Sequence, residues 1–144
     1  MRLLIKKLKE NAVIPARQTE FSAGYDLCAC TDAPVTIKAG QTEKIHTGIS
    51  AEVQGEKNCV LLIYARSSLA SKFGIAPANC VVDWDYRGEI ICALHNSSDK
   101  DYTINSGDRI AQLVITPVFT PEVEEVTELS DTERGAGGFG STGK

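Results

Sequence analysis

The chain has 144 residues, 42% apolar and 24% charged, with 15 lysines and arginines against 19 aspartates and glutamates. That is enough for one compact domain with its own core and too little for two. A net charge of −4 gives no broad positive field, which argues against a dedicated nucleic-acid binder, and no apolar run approaches the ~18 residues of a membrane span. The opening "MRLLIKKLKEN" is too short in its apolar part for a signal peptide, so a cytoplasmic protein is expected.

In chain order, "RLLIKKL" fits an amphipathic helix or a strand, and "NAVIP" so close behind it favours the strand. "VTIKAG", "KIHTGISAEV" and "CVLLIYA" place apolar side chains at period two or in short continuous runs, as strands do. Within the second of these, Ile45, Ile49, Ala51 and Val53 fall on one face. The only helix expected is brief, from about Ser67 or Ser68 to Lys72, where a serine can cap the free amides of the first turn. "GEIICALHN" and "GDRIAQLVITPVF" repeat the strand pattern, and Gly40, Gly55, Gly88 and Gly107 punctuate the runs as turns do. No segment between strands carries a convincing helical stripe, so the expected class is all-β, a sandwich or barrel-like fold and not a series of βαβ units.

After Pro121 the texture changes. "EVEEVTELSDTE" is acidic and weakly periodic, and "RGAGGFGSTGK" follows. The expected organisation is a β-rich core over 1–121 and a C-terminal arm over 122–144. Glycine loses more backbone entropy on ordering than other residues, so the arm should be mobile alone and order against a ligand or another subunit. From Asp131 to Lys144 it reaches at most roughly 45 Å, enough to cross to a neighbour. Its last seven residues formally match G-x-x-x-x-G-K, but the Ser/Thr and helix that a phosphate loop needs do not follow Lys144.

Five cysteines (Cys28, Cys30, Cys59, Cys80 and Cys92) form no C-x-x-C pair and mostly sit in apolar runs, as buried free thiols do. Neither a zinc spacing nor a Cys-His or Ser-His nucleophile arrangement stands out, and His46 and His95 read as strand or turn residues. Four stretches suit a phosphorylated ligand better. "ARSSLASKFG" offers Arg66, two hydroxyls and the amides of a short helix start; a capped surface helix explains it as well. "VVDWDYRGE" gathers two carboxylates, two aromatics and an arginine, and also reads as a polar turn. "SAGYDL" places Asp26 after a glycine. "GDRIAQL" places Arg109 and Gln112 around a strand, where an ion pair supporting the fold is the ordinary explanation.

Taken in order, "SAGYDLCA", "ARSSLA", "CVVDWDYRGE", "GDRIAQLVI" and "RGAGGFGSTG" resemble the five motifs of the trimeric deoxyuridine triphosphate nucleotidohydrolases (dUTPases), at family-like separations over nearly the whole chain. The resemblance implies a distorted jelly-roll or β-clip subunit with one short helix and an extended C-terminal arm. It implies hydrolysis of dUTP to dUMP and pyrophosphate by a homotrimer with shared sites, which limits uracil in DNA and supplies dUMP for thymidylate synthesis. By resemblance Asp83 orients the attacking water and meets the 3'-hydroxyl, with Gln112 touching that water and phosphate. Tyr86 packs on deoxyribose and leaves no room for a 2'-hydroxyl. The hairpin of Ala78, Asn79, Cys80, Val81 and Val82 reads the uracil edge through its backbone. Arg66, Ser67 and Ser68 meet phosphate from a neighbouring subunit, and Asp26 holds a hydrated Mg²⁺ indirectly, through water. Arg134 grips the γ-phosphate, Phe139 covers uracil, and Gly140, Ser141 and Thr142 wrap the phosphates.

Cys80 departs from the family's usual glycine, Ser68 and Ala65 are milder departures, and Trp84 occupies a variable position. The related dCTP deaminases share the fold and an Arg-Ser-Ser segment but need a glutamate about ten residues past the aspartate. The matching position here is Ala93, and Glu89 lies too early by register. An inactive trimeric nucleotide-binding domain is the non-enzymatic alternative, opposed by the presence of Asp83, Tyr86, Arg134 and Phe139. The chemistry expected is direct water attack at the α-phosphorus, carried by positioning and charge neutralisation with no covalent intermediate.

Overall fold

The computed structural model describes residues 1–138, and between Arg2 and Pro117 the alternation of apolar and polar side chains is converted into antiparallel strands. In order these are β1 (Arg2–Lys7), β2 (Tyr25–Cys28), β3 (Val35–Ile37), β4 (Thr42–His46), β5 (Ile49–Gln54) and β6 (Cys59–Tyr64). The helix α1 (Ser67–Phe73) comes next, then β7 (Ile75–Pro77), β8 (Val81–Val82), β9 (Ile91–Asn96), β10 (Tyr102–Ile104) and β11 (Arg109–Pro117). They assemble into a four-stranded sheet ordered β2-β11-β6-β8, a three-stranded sheet β4-β9-β7, and the pairs β1-β5 and β3-β10. One cluster of buried side chains fills the space between them, with Leu27, Ile45, Ile63, Cys92, Leu94 and Leu113 among its members.

The stretch "KIHTGISAEV" is two strands. Thr47 and Gly48 break it, so that β4 pairs with β9 and β5 with β1. Gly48 turns the chain at φ 67°, and a Cβ there would lie 2.8 Å from the Cys30 sulfur and 2.9 Å from the Ala12 methyl. Ile45, Ile49, Ala51 and Val53 are buried as their spacing requires, although they belong to two sheets. Polar burial is handled by hydrogen bonding. Asn96, fully buried at the end of β9, donates to the carbonyls of Ile37 and Lys100 and accepts from the amide and hydroxyl of Ser98.

The helix differs from its expected form at its start. Its N-cap is Arg66, in extended conformation and without a side-chain cap, while Ser67 and Ser68 lie exposed inside the first turn. A serine cap does not form because the chain enters helical geometry one residue earlier, and the Arg66 side chain is used elsewhere. The helix ends at Gly74, left-handed at φ 67°, where a Cβ would meet the Ser97 hydroxyl at 2.9 Å. Of the five cysteines, all free, four are buried and only Cys80 is exposed. Beyond β11, residues 118–138 contain no strand or helix. Val118 donates to the Asn58 carbonyl, while Phe119, Val123 and Leu129 stand almost fully exposed.

Candidate active site

Between β7 and β8, the segment expected as a hairpin is a short loop that joins two different sheets, because β7 pairs with β9 and β8 with β6. It is held from both sides. Ala78 donates its N–H to the Ala93 carbonyl (2.7 Å), and the Asn79 side chain continues the ladder. Its amide nitrogen donates to Ile91 (2.8 Å) and its oxygen accepts from the N–H of Ala93 (2.8 Å). On the other side Cys80 accepts from Ile63 (2.7 Å), and Val81 and Val82 pair with Leu62 and Leu61 of β6. Cys80 is exposed, and it is its carbonyl that ties the loop to the sheet.

The next turn is anchored by its own aromatics. Tyr86 closes it with an N–H bond to Asp83 (3.1 Å). Trp84 donates its indole N–H to the Val53 carbonyl (3.1 Å), and the guanidinium of Arg87 and the ammonium of Lys57 flank its ring at 5.5 and 5.8 Å. Tyr86 donates its hydroxyl to the Glu89 carbonyl (3.0 Å). Its ring lies so close over Gly88 that a Cβ there would sit 2.3 Å from the hydroxyl oxygen.

Loop and turn wall an open pocket of about 440 Å³ that brings together Asn79, Val81, Val82, Asp83 and Tyr86. Sequence reasoning missed Lys44, Ile90 and Ile91, which line it as well, and singled out Glu89 and Ala93, also on its wall, only in weighing a deaminase. A period-two signal existed for part of this. Ile91 and Ala93 share the face of β9 opposite the buried Cys92 and Leu94, and Lys44 is the cross-strand partner of Ala93.

A second group forms at the far edge of the four-stranded sheet, where Asp26, Gln112 and Tyr64 stand in register across β2, β11 and β6. Asp26 places one carboxylate oxygen 3.3 Å from Arg66 Nε and the other 3.0 Å from Arg109. Arg66 also donates to the Arg109 carbonyl (2.9 Å), which explains why its side chain lies along the sheet. A bulge between Arg109 and Ala111 interrupts the β2 pairing and lets Ile110 and Ala111 both turn inward, re-aiming the strand end. Gln112 donates to the Ala65 carbonyl (2.9 Å). Gly24 makes room for it, since a Cβ there would lie 2.3 Å from the Gln112 side-chain oxygen.

The two groups occupy opposite edges of one sheet. Three interstrand spacings, roughly 14 Å, separate Asp26 on β2 from β8. Arg134 joins neither; it is exposed and donates to Gly137 of its own loop (3.0 Å). Phe139, Gly140, Ser141 and Thr142 lie outside the described residues. Among the described residues no cluster of three or more His, Cys, Asp or Glu side chains is placed to hold a metal directly. With a guanidinium on each oxygen, Asp26 keeps spare lone-pair capacity, which fits contact with a hydrated ion through water better than direct ligation. Burial pushes the Glu89 carboxyl up, but hydrogen bonds from His46 and the Gly48 amide outweigh it and hold the group below its ordinary value. Burial alone pushes the Cys92 thiol up to about 12.

Fold and pocket together define the class, an all-β enzyme subunit of jelly-roll, β-clip type. The dUTPase family model matches residues 10–143, and the chain belongs to the dUTPase family. It is 51% identical to the deoxyuridine 5'-triphosphate nucleotidohydrolase of Nautilia profundicola over the full length of both chains. With that of Paramecium bursaria Chlorella virus 1 it shares 47%, covering 98% of this chain and 97% of the relative. Among solved structures, the Staphylococcus bacteriophage 80alpha dUTPase with dUPNHPP superposes with a TM-score of 0.89 at 29% identity over 99% of each chain. A mutant dUTPase from phage phi11 of S. aureus, described with a structural Mg(II) ion, matches at TM-score 0.81 and 25% identity. That match covers 91% of this chain and all of the other.

Proposed function

We propose that the pocket receives the deoxyuridine of dUTP, that Asp83 presents the attacking water, and that Tyr86 excludes a 2'-hydroxyl. The overall reaction, dUTP to dUMP and pyrophosphate, is that of the family, and the chain is a dUTP diphosphatase. Water oxygen bonds to the α-phosphorus as the bond to the β-phosphate bridging oxygen breaks, and pyrophosphate leaves with that oxygen. Asp83 stands exposed at the pocket rim and makes no ion pair among the described residues, so its lone pairs are available to orient water. A carboxylate is a weak base at neutral pH, so its contribution is positioning and charge more than proton affinity. Gln112 would meet phosphate and the same water, and Asn79, Cys80, Val81 and Val82 would present backbone groups to the uracil edge.

The observation that carries this reading is the clamped loop with Asp83 and Tyr86 on one pocket wall. The separation of the two groups across the sheet supports a shared site. Arg66, Ser67, Ser68 and Asp26 of one subunit would serve the pocket of another in a homotrimer. The arm, residues 122–144, would complete that site, with Arg134 on the γ-phosphate, Phe139 over the base, and Gly140, Ser141 and Thr142 around the phosphates. Mg²⁺, approached by Asp26 through water, would supply charge neutralisation for the triphosphate when bound. A deaminase is disfavoured because Ala93, on the pocket wall, has no carboxylate. No helix among the described residues is long and apolar enough to cross a membrane, in keeping with a cytoplasmic enzyme.

The test is pyrophosphate release with dUTP, UTP, dTTP and dCTP, with and without magnesium, in the wild type and in Asp83→Asn. The wild type should act on dUTP alone, and the variant should lose about 10²–10⁴-fold in turnover while melting within about 0.5 kcal/mol of the parent. Full activity in the variant sinks the assignment of Asp83; equal activity on UTP sinks that of Tyr86.

A further inference from the structure

We propose that Glu89, held by His46, is a positioning residue that sets the sugar selectivity of Tyr86; this deepens the dUTP reading above and rests on it. Among the described residues the Tyr86 hydroxyl has one hydrogen-bond partner, the carbonyl of Glu89. That bond ties the ring to the Glu89 backbone, and Gly88 beneath the ring leaves room for its close approach.

The carbonyl is fixed from the other side of the chain. The Glu89 carboxylate accepts from the Gly48 amide with one oxygen (2.8 Å) and meets Nδ1 of His46 with the other (2.8 Å). Facing an ionised carboxylate, Nδ1 carries the proton. The next residue extends the same attachment, since Ile90 donates to the Ile49 carbonyl (2.9 Å) and accepts from the Thr47 hydroxyl. The tyrosine thus hangs from a residue bolted to the turn joining β4 and β5. That turn is itself rigid, because Gly48 has Cys30 and Ala12 against it.

Two features separate this role from plain structural support. Glu89 lines the pocket, so its displacement changes the pocket wall directly. The carboxylate touches neither Asp83 nor the Asp26 group among the described residues, so the effect should fall on sugar discrimination before it falls on water attack.

The experiment compares kcat and KM for dUTP and UTP in Glu89→Ala, Glu89→Gln, Tyr86→Phe, His46→Leu and His46→Asn, each checked for a cooperative melt. Glu89→Ala and Tyr86→Phe should each lower the dUTP-to-UTP ratio of kcat/KM by about tenfold, the discrimination one pocket contact supplies. The loss should come mainly through a lower KM for UTP. Glu89→Gln, which keeps an acceptor for Gly48 and folds with the parent shape, should lose less. His46→Asn carries a donor nitrogen near the position of Nδ1 and should rescue what His46→Leu loses. An unchanged ratio in both Glu89 variants while Tyr86→Phe lowers it overturns the latch and spares the Tyr86 reading. A Tyr86→Phe ratio equal to wild type overturns the latch alone, since the ring then keeps its place without the hydroxyl bond. Equal wild-type activity on UTP overturns the Tyr86 reading itself.

Discussion

Replacing Asp26 with asparagine should lower stability by about 2 kcal/mol. The carboxylate is the common partner of two guanidiniums, and its side chain is 13% exposed, against 22% for Arg66 and 45% for Arg109. Breaking a fully buried pair costs about 3–5 kcal/mol because a charge is left without a partner, whereas an exposed pair contributes about 0–1 kcal/mol. The Arg66 contact lies nearer the first limit and the Arg109 contact nearer the second, which gives the intermediate figure. For a chain of this size it corresponds to a melting temperature lower by about 4–8 °C, read by calorimetry at matched protein concentration, since self-association would make the midpoint concentration-dependent. Removing Arg109 first, as in Arg109→Gln, should shrink the cost of Asp26→Asn by about 0.5–1 kcal/mol, the signature of contacting residues. A melting shift below about 1 °C, or full additivity of the two substitutions, would refute the ion-pair account of this strand end.

Gly24→Ala tests the neighbouring close approach. Gly24 does not occupy a left-handed conformation, so alanine meets no backbone strain, but its Cβ would stand 2.3 Å from the Gln112 oxygen and 3.0 Å from its Cβ. Gln112 must rotate and give up its bond to Ala65, worth about 1 kcal/mol; dUTP turnover should fall about 10- to 100-fold, and parental turnover would contradict the placement of Gln112. Deleting 135–144 should leave the melt unchanged, because residues 118–138 contribute no strand or helix, yet cost about 100-fold or more in pyrophosphate release. Unchanged release after that deletion defeats the role proposed for the arm.

Strands were legible where they were long enough to show a period. β5, β6 and β11, of six to nine residues, repeat the apolar position at least three times and β9 does so twice on each face, whereas β2, β7, β8 and β10 have two to four residues and show no period at all. The pocket was legible where its residues are contiguous, from Asn79 to Tyr86. Lys44 was not, because it enters only through pairing with Ala93 across β4 and β9. The same limit applies to the ion pair. A partner for Arg109 was the ordinary expectation, but nothing local ties it to Asp26, 83 residues away. The helix begins at Ser67, within the expected start, but the serine cap was misread: the residue that leaves helical geometry is Arg66, whose guanidinium can only donate and pairs with Asp26.

Cys80 and Trp84 show which variation this architecture tolerates. A loop proposed to read a base through its backbone is constrained in its path and leaves an outward side chain free. Cys80 meets that condition, being exposed while its carbonyl takes the Ile63 amide. Cysteine can therefore stand where the family usually has glycine without altering the hydrogen bonds that hold the pocket wall. Trp84 is the converse case, an otherwise variable position recruited to a structural task. Its indole N–H reaches the Val53 carbonyl of β5, which ties the turn carrying Asp83 and Tyr86 to a different sheet. The bonds of Asn79 to β9, of Trp84 to β5 and of Glu89 to His46 and Gly48 are thus three nonlocal attachments for the one short segment that carries Asp83 and Tyr86. The role proposed for Asp83, placing a water molecule, needs such attachments, because an error of about 1 Å in that placement costs about 10²-fold in rate.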